Sequence, residues 1–105
     1  MASQATLEAR ADVFKALGHP TRLAIVDMLA EGERCVCEMN DHIDADISTV
    51  SRHLAVLRNV GILSSEKRGN QVFYKLECPC ITGFYGCVES VIHGGPAPIT
   101  LESGS

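Results

Sequence analysis

Apolar side chains recur along most of this chain at a helical period, interrupted by one stretch of strand-like alternation. Leu7, Ala11, Phe14 and Leu17 stand at i, i+4, i+7 and i+10, the stripe of an amphipathic helix, with Gly18 as its stop. Pro20 suits the first position of a second helix, where its missing N–H costs nothing, and Leu23, Val26 and Leu29 continue inward until Gly32. Val36, Met39 and Ile43 form a short third stripe, interrupted by Asp44-Ala45-Asp46, residues that favour turns and caps. Asp46 can accept from backbone N–H groups one turn on, which starts a fourth helix from about Ile47 to Val60. In it Val50, Leu54 and Leu57 face the core, and Gly61 ends it. A helix, a tight turn and a second helix of this length predict a helix-turn-helix.

Beyond Gly61 the alternation becomes that of strands. Ile62 to Lys67 and Gln71 to Leu76 read as two strands joined through Arg68-Gly69-Asn70, a hairpin wing. Ile81, Phe84, Val88 and Val91 give a last helical stripe, weakened by Gly83 and Gly86 at about 1 kcal/mol each and ended by Gly94-Gly95-Pro96. The predicted fold is mainly α with a small β-hairpin, a winged helix-turn-helix of about five helices plus a two-stranded wing. Residues 1–95 form this domain and 96–105 a mobile C-terminal tail.

Composition narrows the class. The chain has 105 residues, 46% of them hydrophobic and 21% charged, so it is neither disordered nor fibrous. A domain this short buries only about 60–70% of its unfolded surface, so its stability is expected to lean on a partner subunit. Nothing approaches the roughly 18 apolar residues of a membrane span, and Met1 to Arg10 lacks the basic and apolar regions of a secretory signal. A cytoplasmic protein is expected. Its five cysteines cannot all pair within one chain, and in a reducing compartment they are free thiols.

The net charge of −4 is unevenly placed. Residues 45–76 carry five basic and two acidic residues, a net of +3; the remainder carries four basic and eleven acidic, a net of −7. A basic island in an acidic chain is the footprint of a protein that meets phosphates on one face. With Val50, Leu54 and Leu57 inward, the fourth helix turns Ser48, Thr49, Ser51 and Arg52 outward, followed by Ala55 and Asn59. Short hydroxyls with one Arg near a helix N-terminus suit the major groove, donating to phosphates and base edges without bulk. A polar helix face alone is ordinarily solvated surface; the helix-turn-helix spacing and adjoining wing turn it into a candidate for duplex DNA. His53 is a candidate phosphate donor. At the wing tip Lys67, Arg68 and Asn70 are candidates for minor-groove or phosphate contact, with Arg68 preferred because its planar guanidinium pairs through two donors. No cysteine has an accompanying His and carboxylate, and no Gly-rich loop cradles a phosphate, so no enzyme is indicated.

Four segments in order, Ala16-Leu17-Gly18-His19-Pro20-Thr21-Arg22-Leu23, Cys35-Val36-Cys37-Glu38-Met39, Ser48-Thr49-Val50-Ser51-Arg52-His53-Leu54 with Leu57-Arg58, and Gly69-Asn70-Gln71-Val72-Phe73-Tyr74, resemble the ArsR/SmtB family of metal-sensing repressors over roughly residues 6 to 93. The resemblance implies a homodimer built by the first and last helices, recognition helices in successive major grooves of a near-palindromic operator, and release on effector binding. It also makes the Cys-Val-Cys motif a source of thiolates. The chain departs from the family at Ile47, where a polar residue such as Gln is common, and at Asn40, where some arsenite-responsive relatives have a third cysteine.

Five thiols are therefore candidate ligands: Cys35, Cys37, Cys78, Cys80 and Cys87. Residues two apart on a regular helix point about 200° apart, so ligation by Cys35 and Cys37 is expected to bend or unwind the third helix. Cys78-Pro79-Cys80 is expected at the N-terminus of the last helix, where the dipole favours thiolate. That pair could chelate alone or complete a site with Cys35 and Cys37 of either subunit. Cys80 and Cys87 lie about 10.5 Å apart along a helix, too far to share an ion unaided. All-sulfur ligation selects arsenite, antimonite, cadmium, lead or zinc. An alternative site of Asp and His on the last helix has only Glu89 and His93, while His19 and His42 are expected to be structural. Two other functions use the same fold: a redox or sulfur-species sensor in which two cysteines join on oxidation, and a DNA binder whose cysteines are inert small hydrophobes.

Overall fold

A computed structural model describes residues 1–94. The elements are α1 (Gln4–Leu17), α2 (Pro20–Ala30), β1 (Arg34–Cys35), α3 (Val36–His42), α4 (Ile47–Asn59), β2 (Leu63–Arg68), β3 (Gln71–Leu76) and α5 (Phe84–Ile92), the last preceded by a 3₁₀ turn over Pro79–Gly83. Helix starts are set by local side chains. The Ser3 hydroxyl accepts from the Thr6 N–H at 3.2 Å, His19 Nδ1 from the Thr21 N–H at 3.1 Å, and Asp46 Oδ1 from the Thr49 N–H at 2.8 Å. Pro20 occupies the first turn of α2 as expected. The 96–105 tail lies outside the described residues.

One core fills the space between α2, α3, α4 and the sheet. Ile25, Val26, Met39, Val50, Leu54 and Leu57 are wholly buried, joined by Leu29, Ile43, Ile62, Leu63, Tyr74 and Leu76. Burial of Val50, Leu54 and Leu57 fixes the roll of α4 about its axis and so decides which residues it shows to solvent.

The sheet departs from the sequence expectation. It has three antiparallel strands in the order β1-β3-β2, not two. The added strand pairs Arg34 with Tyr74 and Cys35 with Phe73. A two-residue strand has no alternation to read, and its pairing partner lies far along the chain. The hairpin itself is tighter than expected, with Arg68 opposite Gln71 and only Gly69-Asn70 in the loop. Gly69 has φ +63° while no non-glycine residue among those described has positive φ, the pattern of a II′ turn. Gly69→Ala places a Cβ in the left-handed region at about 1–2 kcal/mol, a loss that denaturant unfolding will register if the turn keeps its shape.

The stripes of α1 and α5 are present, but this chain does not cover them. Leu7 is 48% and Phe14 60% exposed, and on α5 Phe84, Val88, Val91 and Ile92 are 51–74% exposed. Phe14 and Phe84 stack with ring centroids 6.3 Å apart, so the first and last helices present one continuous apolar face. A cavity of about 240 Å³ opens in it, lined by Phe14, Leu17, Leu23, Ile81, Phe84 and Val88. The last helix is also shorter than its stripe, because Ile81 and Gly83 fall in the 3₁₀ turn. No helix among the described residues is long and apolar enough to cross a membrane.

Candidate nucleic-acid interface and thiol pairs

Asp46 anchors the outward face of α4. Its carboxyl is held below the usual range by the Thr49 backbone N–H and then its side chain, so the cap is charged at neutral pH. Ser48, Ser51 and Arg52 are exposed and Thr49 is half-buried, the arrangement the burial of Val50 and Leu54 requires. His53 is placed differently. Its ring is half-buried, 4.4 Å from that of His19, and its Nδ1 accepts from Arg22 Nε at 3.0 Å. Burial first, then the charges of His19 and Arg22, push its pKa down, so the imidazole is neutral with its remaining proton on Nε2. Arg22 also donates to the Lys15 and Ala16 carbonyls at 3.4 and 3.2 Å, tying the end of α1 to α4. The sequence pattern gave this arginine no role of its own, since its partners are two backbone carbonyls and a distant imidazole.

At the wing tip Lys67 and Asn70 are exposed. Arg68 is engaged. Its Nη1 and Nη2 donate to the two carboxylate oxygens of Glu33 at 2.8 and 3.1 Å, and its Nε and Nη2 to Glu66 Oε1 at 3.1 and 2.7 Å. The guanidinium carbon lies 4.7 Å from the centre of the Phe73 ring.

Cys35 and Cys37 do not share one regular helix. Cys35 belongs to β1, buried, with φ −84° and ψ 162°, and serves as the extended N-cap of α3; its N–H donates to Glu38 Oε1 at 3.0 Å. Cys37 stands exposed in the first turn. A hydrogen bond between the two thiols, then burial, pushes the Cys37 pKa up. The premise that both cysteines lie on one regular helix is corrected: α3 begins after Cys35, because pairing with Phe73 holds that residue extended. Gln71 Nε2 reaches Cys37 Sγ at 3.9 Å. The thiols open into a cavity of about 360 Å³ whose other walls include Ile47 and Ser51 of α4 and Asn70 and Gln71 of the wing.

The second pair is Cys78 and Cys80, with sulfurs 2.9 Å apart. Cys78 precedes and Cys80 lies within a five-residue 3₁₀ turn, not the start of α5, so the expected helix-dipole stabilisation of thiolate is corrected as well. The Cys80 pKa is pushed up by the hydrogen bond from Cys78. Cys87 is exposed on α5. Among the described residues no three His, Cys, Asp or Glu side chains gather to hold a metal ion, so each pair contributes two sulfurs and stays apart from the other.

Residues 19–65 match the model of the family described as "Bacterial regulatory protein, arsR family". A "Cadmium resistance transcriptional regulatory protein CadC homolog" of Staphylococcus aureus is 44% identical over 68 residues, 64% of this chain and 56% of that protein. The "Arsenical resistance operon repressor" of Escherichia coli K12 is 46% identical over 65 residues, 61% of this chain and 56% of that protein. The match thus spans little more than half the length of these relatives. Among solved structures, a "homodimeric winged helix-turn-helix DNA-binding domain" of Mycobacterium bovis, "a possible ArsR-family transcriptional regulator", superposes with a TM-score of 0.72 at 30% identity, covering 89% of this chain and 91% of that one.

Proposed function

The chain belongs to the arsR family of bacterial regulatory proteins, and from that membership we propose that it is a homodimeric repressor that leaves duplex DNA when a thiophilic effector occupies Cys35 and Cys37. One observation carries the proposal. The cavity into which these thiols open is also walled by Ile47 and Ser51 of the recognition helix and by Asn70 and Gln71 of the wing. A ligand held there displaces side chains on both elements that face the DNA, which gives the effector different affinities for the bound and free states.

The donor chemistry fits soft or borderline ions such as arsenite, antimonite, cadmium, lead or zinc, all of which accept sulfur. With two sulfurs at each pair and the pairs apart within one chain, a further protein donor has to come from a partner subunit. Because the Cys37 thiol is protonated at neutral pH, ligation releases protons and strengthens as pH rises. On DNA, Ser48, Thr49, Ser51 and Arg52 read the major groove, His53 offers Nε2–H to a phosphate, and Lys67 and Asn70 serve the wing. The exposed α1–α5 face is where a second copy docks, placing two recognition helices on one duplex.

A second function has its own observation, the 2.9 Å separation of the Cys78 and Cys80 sulfurs. A peroxide could join them as a disulfide, taking two electrons and two protons from the thiols and becoming water. The two functions part in a binding assay on a duplex selected from a random pool. Arsenite or cadmium under reducing conditions should release the DNA, and peroxide without metal should not; the opposite result establishes redox sensing. Arg52→Ala should weaken specific binding by about 1–3 kcal/mol while leaving thiol ligation intact. Unchanged affinity would remove α4 from the interface.

A further inference from the structure

We propose that Arg68 is a phosphate contact held in reserve, its guanidinium clamped by Glu33 and Glu66 so that it meets the DNA backbone only when the clamp opens. The proposal rests on the reading that this chain binds duplex DNA. A guanidinium has five N–H donors, and here four hydrogen bonds to two carboxylates engage it from both edges while Phe73 covers one face. The guanidinium's charge is offset by two carboxylates, and with Lys75, which lines the same cavity, the cluster is close to neutral and offers a phosphate little attraction. Glu33 is held in its charged form, chiefly by its hydrogen bond from Arg68. The free cation at the tip is Lys67, which makes no ion pair among the described residues.

The clamp can open because it lies in water. The side chains of Arg68, Glu33 and Glu66 are 44%, 38% and 66% exposed, and ion pairs so exposed contribute little net stability. A phosphate accepts from the same guanidinium fork in the same bidentate manner, so it can take the place of a neutralised carboxylate, whereas the two tethered carboxylates together hold the guanidinium against it. Glu33 lies in the segment between α2 and β1, two residues before Cys35. The carboxylate that closes the clamp and the thiol of the proposed effector site therefore share one short stretch of backbone.

The salt dependence of binding tests this, because each phosphate contact adds about 0.9 to the slope of log affinity against log salt. Arg68→Gln is to be compared in the parent chain and in Glu33→Gln/Glu66→Gln, all four proteins titrated with one duplex after circular dichroism has shown them folded. In the parent, Arg68→Gln should leave the slope unchanged. With both glutamates neutralised, Arg68→Gln should lower the slope by about 0.9 per wing and weaken binding several-fold. An equal drop in both backgrounds would show that Arg68 contacts DNA despite its clamp, and no drop in either would show that it never reaches the backbone; each overturns the proposal. Failure of all four proteins to bind any duplex would overturn the DNA-binding reading itself.

Discussion

Phe14→Glu combined with Val88→Glu is expected to yield a folded monomer that has lost most of its hold on DNA. Within one chain Phe14 and Val88 are 60% and 51% exposed, so a carboxylate at either place stays hydrated and the core of Ile25, Met39, Val50, Leu54 and Leu57 is untouched. In a dimer that buries the α1–α5 face the same carboxylates would be stripped of water among apolar side chains, a penalty large enough to prevent association. Two recognition helices joined by a dimer bind cooperatively through effective concentration, so separating them should weaken DNA binding by about 10²–10⁴-fold. Light scattering gives the mass and anisotropy the affinity. A variant that stays dimeric and binds as tightly as the parent would place the dimer interface elsewhere.

Cys37→Ser is expected to keep DNA binding and abolish release. The hydroxyl preserves size but lacks the soft thiolate that these ions require. Because Cys37 is exposed, the substitution leaves the core intact, whereas Cys35→Ser acts in the same direction with an added cost from burial. The coupling between effector and DNA, typically about 1–3 kcal/mol or a 5–150-fold change in affinity, should vanish. If Cys37→Ser still dissociates normally with arsenite or cadmium while Cys78→Ser or Cys80→Ser does not, the sensing site is the C-terminal pair.

Where local chemistry decides structure, the sequence was legible. Helices α2 and α4 followed from the stripes Leu23–Val26–Leu29 and Val50–Leu54–Leu57 and from Pro20 and Asp46 at their starts, although Leu23, expected inward, is 38% exposed and lines the cavity of the α1–α5 face instead. The hairpin followed from alternation around Gly69-Asn70. What stayed hidden was non-local. Strand β1 is two residues long and exists only through its pairing with Tyr74 and Phe73, yet it holds Cys35 extended and so starts α3 after it. The clamp on Arg68 is closed by Glu33, 35 residues away, so the charge could be counted but not this partner. On α1 and α5 the period was visible, but a period shows that a face is apolar and not which molecule covers it. For the DNA-facing residues, the roll of α4 was legible from three core positions, while the capture of His53 by Arg22 and His19 depended on packing between helices.

The central claim is that occupation of these thiols and departure from DNA are one event. It is tested most directly by titrating the duplex complex with cadmium, and a parallel sample with arsenite, under reducing conditions while recording thiolate-to-metal absorption and DNA anisotropy together. For at least one of the two effectors, absorption and release should rise in step and saturate at the same added equivalents. Full thiolate ligation by both with the DNA still bound would contradict the account.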